Sequence, residues 1–295
     1  MNIQMAYLLG MIVGNGEIQR NNSTTKILIN IPHKNEKTDD GNDVKVYVKA
    51  SIADIKSALE QTIGTILNHT QNDRVSTIYF EKQNSDYLIT EIMRMCQNER
   101  TFETMRVPQY FYTAPHDEIL YFLRGFCDVT AYIRKSNCYI DGITHRVYIE
   151  IMHNWYVVAE ICNLLKILDI PVHTIDWAHP NMRDGKLSKY NEGKPNFWKK
   201  EHQIKITANE FLPIGFTVIH KNNALNQYAN EMTRYYASSG KNISDTTHKF
   251  YWEKRKPRKT RERHPSENDI SIPTEIRGKH YDCWQDIAKD LGYEE

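Results

Sequence analysis

Long apolar runs are missing from this chain. No stretch approaches the roughly 18 apolar residues that a membrane-spanning helix needs. The opening MNIQMAYLLGMIVG contains Gln4 and lacks the basic flank and small-residue cleavage site of a secretory signal, so a cytoplasmic protein is expected. Cysteine is sparse as well. The five cysteines (Cys96, Cys127, Cys138, Cys162, Cys283) are odd in number, scattered and never spaced as CxxC. This pattern excludes a disulfide framework and a structural zinc site, and leaves buried thiols as the expectation. The histidines, His264 and His280 among them, show no metal-ligand spacing.

A marked excess of one charge is also lacking, since the net charge is only +1. The positive charge is local. FYWEKRKPRKTRERHP, residues 250–265, holds seven Lys or Arg against two Glu. Lys254, Arg255, Lys256, Arg258 and Lys259 lie in this run, which reads either as a phosphate-binding strap or as a solvated linker. Apolar residues at 40% and charged residues at 25% are ordinary for a globular protein, and 295 residues suit two units of roughly 100 to 150 residues each.

What the chain does contain is a repeat. AYLLGMIVGNGEI (6–18) is an apolar, helix-like run ending in Gly14, Asn15 and Gly16, with Glu17 just beyond the stop. EILYFLRGFCDVTAYIRKSN (118–137) can be laid over it without a gap at an offset of 115 residues. Gly10 then falls on Gly125, Asn15 on Thr130 and Gly16 on Ala131. Alternating, β-branched strand candidates follow each copy, KILINIPH (26–33) and RVYIEIMH (146–153). Helices are expected next at 51–64, with Ser51 as N-cap, and at 154–170, with Asn154 as N-cap. Strands are then expected at 76–82, 171–178 and 202–208, and closing helices at 84–97 and 209–236.

This order and its opening motif resemble the LAGLIDADG family of homing endonucleases, in the single-chain form with two motifs. The motif residues are LLGMIVGNG (8–16) and LRGFCDVTA (123–131). The resemblance implies an α+β fold of two pseudo-symmetric αββαββα subdomains with antiparallel saddle sheets. These would be a first repeat over 1–110 and a second over 111–236, followed by a basic linker and small helical module over 237–295. It implies that the motif helices pack side by side, with Gly10 and Gly125 letting the backbones approach. It implies a monomer with an internal pseudo-two-fold axis and double-stranded DNA along both sheets.

The family's metal-binding acids should stand at Asn15 and Thr130, and neither residue is acidic. Two neutral ligands make a poor site for a hard divalent cation such as magnesium. Glu17 and Asp128 lie near by and are the candidates for a displaced catalytic, metal-binding pair; Asp128 occupies an earlier acidic position of the motif, where capping is the usual role.

The strands supply candidate DNA-reading side chains: Gln19, Arg20, Asn22 and Lys26 in the first half, and Arg134, Lys135, Asn137, Arg146, Gln203 and Lys205 in the second. Strict alternation puts Gln19 with Asn21, Ser23 and Thr25, and Arg20 with Asn22, Thr24 and Lys26, until a turn resets the register. The Pro-, Gly- and Lys-rich stretch 176–203, with Lys199 and Lys200, is expected to be a long phosphate-contacting loop. In 272–295 the residues Tyr281, Trp284, Ile287, Ala288 and Leu291 form one helical stripe.

Two readings follow. One is a sequence-selective double-stranded DNA-binding protein that needs no metal. The other is an active, magnesium-dependent endonuclease of restriction or homing type using the displaced carboxylates.

Overall fold

The computed structural model describes residues 1–33, 44–135, 143–176, 201–239, 274–276 and 279–281. The chain begins with α1 (Ile3–Asn15), β1 (Gly16–Arg20), β2 (Thr24–Pro32), α2 (Val44–Ile63), β3 (Asn68–Gln71), β4 (Val75–Gln83) and α3 (Tyr87–Met95). A 3-10 turn at Gln109–Tyr112 leads to α4 (His116–Thr130), β5 (Ala131–Arg134), β6 (Arg146–Met152), α5 (Trp155–Ile167), β7 (Thr174–Asp176), β8 (Glu201–Thr207), α6 (Ala208–Phe211) and α7 (Ile219–Ser239). The strands form two four-stranded antiparallel sheets of the same topology, β1-β2-β4-β3 and β5-β6-β8-β7. The fold is α+β. No described helix is long and apolar enough to cross a membrane.

α1 is apolar on every side, and every residue from Met5 to Val13 is buried, so it lies inside the molecule rather than on it. Its principal neighbour is α4. The two backbones touch at their glycines: a Cβ on Gly10 would lie 2.0 Å from the Phe122 carbonyl oxygen, and one on Gly125 would lie 2.1 Å from that of Tyr7. No side chain fits at either position. Gly14 serves the same seam, because its Cβ would meet Val129 Cγ2 at 2.6 Å.

Each seam helix passes into a strand without a loop. The residue after α1 has φ −102° and ψ 157°, and the residue after α4 has φ −103° and ψ 158°. In both, the backbone N–H bonds the carbonyl four residues back. Ala131 makes the corresponding exit with a side chain in place, whereas a Cβ on Gly16 would lie 2.5 Å from the Ile12 carbonyl oxygen, so the first exit is the tighter of the two.

Four local expectations are corrected. α2 begins at Val44, which leaves Ser51 inside the helix; its hydroxyl donates to the Tyr47 carbonyl at 2.7 Å and accepts from Ile219 N at 2.8 Å. Asn154 precedes α5 but makes no side-chain cap; its amide donates to the Phe102 and Met105 carbonyls at 3.1 and 2.6 Å. The helix expected over 209–236 is divided into α6 and α7 by residues 212–218. In the C-terminal segment, β9 (Thr274–Ile276) and β10 (Lys279–Tyr281) pair as an antiparallel hairpin, so Tyr281 belongs to a strand, while Trp284, Ile287, Ala288 and Leu291 lie outside the described residues.

The connector between the halves is tied to both. Ile18 N donates to the Arg100 carbonyl at 2.7 Å, and Phe102 N to that of Gly16 at 3.0 Å, covering the free edge of β1. Downstream, the buried Glu160 of α5 accepts from Arg106 Nε and Val107 N, both at 2.9 Å. Together with Asn154, these bonds hold the first sheet's edge and the second half's helix in one frame.

Candidate nucleic-acid interface

The helix exits are where the resemblance implies metal chemistry. Asn15 Nδ2 donates to the Asn30 carbonyl at 3.0 Å. The Thr130 hydroxyl turns back into its own helix, donating to the Phe126 carbonyl at 2.7 Å, and the residue is buried. Both side chains are engaged in local backbone bonds.

Asp128 is corrected as a catalytic or metal-binding candidate. It is fully buried, and its carboxylate accepts from Tyr7 Oη at 2.7 Å, from Thr217 N at 3.1 Å and from Val218 N at 3.2 Å. The Lys221 ammonium donates to the Asp128 carbonyl at 2.8 Å. Burial raises the pKa of this carboxyl, against the pull of Lys221 and of the bonded donors. The cluster fastens the start of α7 to the helix seam. Its acceptors are spent inside the protein.

Glu17, by contrast, is exposed on β1, where its carboxylate accepts from Gln19 Nε2 at 2.9 Å. It lines a cleft of about 220 Å³ with Gly16, Asn30, Thr101, Phe102 and Glu103. One member of the displaced pair therefore faces solvent and the other is sealed in the core. Among the described residues, no group of three or more His, Cys, Asp or Glu comes together to hold a metal. The last residues of the two motif helices offer an amide and a back-bonded hydroxyl in place of two carboxylates, a poor pair of ligands for a hard divalent cation; the carboxylates beside the α1 exit are Glu17 and Glu103 of the cleft.

The sheets carry the outward chemistry. In β2, Thr25, Ile27, Ile29 and Ile31 are buried, while Thr24, Lys26, Leu28 and Asn30 alternate with them towards the outside. The turn at Asn21–Ser23 resets the register, so Gln19 stands beside Lys26 rather than Thr25. Asn21 Oδ1 builds that turn by accepting from Ser23 N and Thr24 N. Two outward rows result: Glu17–Leu28–Tyr79–Asn68 next to the helix exit, and Gln19–Lys26–Glu81 one step out. Lys26 Nζ sits 4.3 Å over the Tyr79 ring. Arg20 ends β1 opposite the buried Thr25, and Asn22 occupies the turn, so both are exposed but off these rows.

The second sheet repeats the arrangement with different chemistry. Ala131 pairs with Ile149 as Gly16 pairs with Ile29. Tyr132–Tyr148–Lys205–Thr174 therefore matches the Glu17 row, and Arg134–Arg146 matches Gln19–Lys26. The Tyr132 and Tyr148 rings stack at 5.3 Å, with Lys205 Nζ 5.4 Å from the Tyr148 centroid. Burial and nearby Glu150 push the Tyr132 phenol far above its ordinary range, so it stays neutral.

His173, unmarked in the sequence, lies 3.3 Å from Arg146 Nη2 through Nε2, and its Nδ1 bonds Thr174 Oγ1 at 2.8 Å. Burial, Arg146 and Lys205 push its pKa down to about 4, so at neutral pH the ring is uncharged and accepts from the arginine. Gln203 is corrected as a base reader: it is buried, and its amide is shared between Glu201 at 2.7 Å and Glu150 at 3.3 Å. Lys135 is exposed and pairs with Glu231 at 3.6 Å. Asn137, Lys199, Lys200, most of the 176–203 loop and the 250–265 basic run lie outside the described residues.

No family model and no curated protein matches the sequence. Solved structures do match. Mesophilic variants of the homing endonuclease I-DmoI share 15% identity over 72% of this chain and 90% of theirs, with a TM-score of 0.42. The LAGLIDADG homing endonuclease I-LtrWI bound to target DNA shares 10% over 78% and 85%, with a TM-score of 0.36. A mutant of I-SmaMI shares 10% over 83% and 93%, with a TM-score of 0.39. These structural neighbours are homing endonucleases, and I-DmoI has been solved in complex with DNA and calcium or manganese.

Proposed function

We infer that this chain is a sequence-selective double-stranded DNA-binding protein of homing-endonuclease architecture, which binds without the metal-dependent cleavage associated with that motif. The observation that carries the reading is the pair of helix exits. Their backbones are the same to within a degree, and they end in Asn15 and Thr130, neither of which carries a carboxylate; the amide of one donates to the Asn30 carbonyl and the hydroxyl of the other to that of Phe126. The outward rows support DNA as the partner, because amide, guanidinium and ammonium groups on a sheet face suit base edges in a major groove. The two repeats, 1–110 and 111–236, would each read one half-site, so a single chain suffices. No metal is required for binding.

The test is selection on a randomised duplex library with full-length protein, in EDTA and separately in Mg²⁺ or Mn²⁺. Retained duplexes that stay uncut in either metal, with affinity falling as salt rises, are the expected result. Site-specific cuts that vanish in Glu17→Gln or Glu103→Gln would establish the magnesium-dependent endonuclease instead. After the loss of Asp128, these two carboxylates beside the α1 exit are what that alternative has left.

A further inference from the structure

The two outward faces have the same geometry and different chemistry, and the difference concentrates in one row. In the first sheet the row beyond the exit is Gln19–Lys26, with Gln19 bonded to Glu17, and Lys26 lying over Tyr79 and in register with Glu81. In the second sheet the matching row is Arg134–Arg146, two guanidinium groups in direct register.

Like charges placed opposite each other on a sheet are destabilising. Among the described residues no salt bridge joins a carboxylate to either arginine, and the neutral His173 ring accepts from Arg146 through Nη2. His173 fixes the fork of Arg146 from the side through a ring tied to Thr174. The row thus holds two guanidinium groups in register without carboxylate partners, one of them held from the side by His173, and a partner with paired acceptors would satisfy their outward N–H groups.

We propose that Arg134 and Arg146, with Arg146 braced by His173, are the guanine-reading anchor of this protein, so that the recognised duplex is asymmetric and requires guanine in the half-site facing the second sheet only. The inference rests on the DNA-binding reading above and goes beyond it by assigning base specificity to one row. Bidentate donation from an arginine to guanine O6 and N7 is the contact that the guanidinium fork matches best, whereas the ammonium of Lys26 is a point charge already placed over a ring. Residues two apart on a strand are about 6.6 Å apart, close to two base-pair rises of about 3.4 Å. The guanine contact therefore falls about two pairs further from the duplex centre than the Tyr132 row.

The same selection, carried out with full-length protein in EDTA at neutral pH and followed by sequencing, tests this. Wild type should enrich guanine at one or two adjacent pairs of one half-site. Arg146→Lys retains the charge and loses the fork; it should lower that preference by about 10- to 100-fold and leave the other half-site unchanged. Arg134→Ala, at an exposed residue whose loss does not threaten the fold, should act at the same or the adjacent pair. His173→Ala should broaden the preference at the Arg146 position alone.

Selected duplexes without guanine enrichment would overturn the assignment while leaving DNA binding intact. So would an equal, position-independent loss in Arg146→Lys, which would mark a phosphate contact. If wild type retains no duplex at all, both readings fall.

Discussion

Gly10→Ala probes the helix seam on which the whole arrangement depends. The new Cβ would stand 2.0 Å from the Phe122 carbonyl oxygen, with Phe126 N also within 2.9 Å. Carbon–oxygen contacts of this kind settle near 3.3 Å or beyond, so α1 and α4 must separate by about 1.3 Å at the crossing. The obstacle is backbone on both sides, so no rotamer change relieves it. A gap of about 1 Å forfeits up to about half of each dispersion contact along the seam, and overpacking of a filled core costs about 1–3 kcal/mol, occasionally more. Against this, alanine gains about 1 kcal/mol in helix propensity over glycine. Taking the upper end of the clash, about 3 kcal/mol, the net loss is about 2 kcal/mol, read as a lower urea midpoint at unchanged slope. Gly64→Ala is the control: it has φ +66° and open space, so its cost is conformational only, about 1–2 kcal/mol. Gly125→Ala presses on the same crossing from the other side, so the double variant should cost less than the sum of the singles. A Gly10→Ala protein within about 0.5 kcal/mol of wild type, or strict additivity in the double, would refute the close-approach argument.

Three further outcomes follow from the same geometry. Asp128→Ala leaves the Tyr7 hydroxyl and the Thr217 and Val218 amides without their acceptor in a sealed site, so unfolding free energy should fall by about 3–5 kcal/mol in denaturant titration. His173 has a folded pKa of about 4. The unfolded chain, with an ordinary histidine near 6.5, binds a proton that the fold refuses between those values, so stability falls as pH drops through that window. The bound on this loss is about 3 kcal/mol, reduced by solvent at a partly exposed ring, and His173→Gln should flatten that part of the acid limb relative to wild type. Exchanging Mg²⁺ for EDTA at constant ionic strength should leave duplex affinity unchanged within about twofold, as measured by fluorescence anisotropy, whereas raising salt from about 50 to 200 mM should lower it by orders of magnitude.

How far the site was legible in the sequence depended on how local each feature is. The two motif helices and the strands after them announce themselves by period and by the repeat, because Gly10 and Gly125, and the strands at 26–33 and 146–153, carry their pattern within a few residues. The partner of Gln19 could not be read that way: the turn at Asn21–Ser23 shifts the register, and only pairing shows Lys26 beside it. Ser51 and Asn154 looked like caps by type, but their bonds go to Ile219, Phe102 and Met105, contacts set by tertiary packing. His173 has no sequence signal at all, since a lone histidine before a short strand acquires meaning only from Arg146 of the strand that lies two positions away in the sheet.

If the chain binds duplex DNA as proposed, the separation between exits and rows would let it do so without a metal site. On that reading, two carboxylates at the helix ends would repel a phosphate backbone in the absence of metal, and Asn15 and Thr130 carry no charge there. The outward rows begin one residue beyond each exit and run along strands held by their own ladders, so neutral exits leave their geometry alone. Glu17 belongs to this second system. It shares its row with Leu28 and Tyr79, bonds Gln19, and occupies the position that Tyr132 fills in the other sheet. On the proposed reading a single carboxylate so placed would disfavour guanine O6 and accept from the cytosine amino group, and Glu17→Gln in the duplex selection separates that role from a catalytic one.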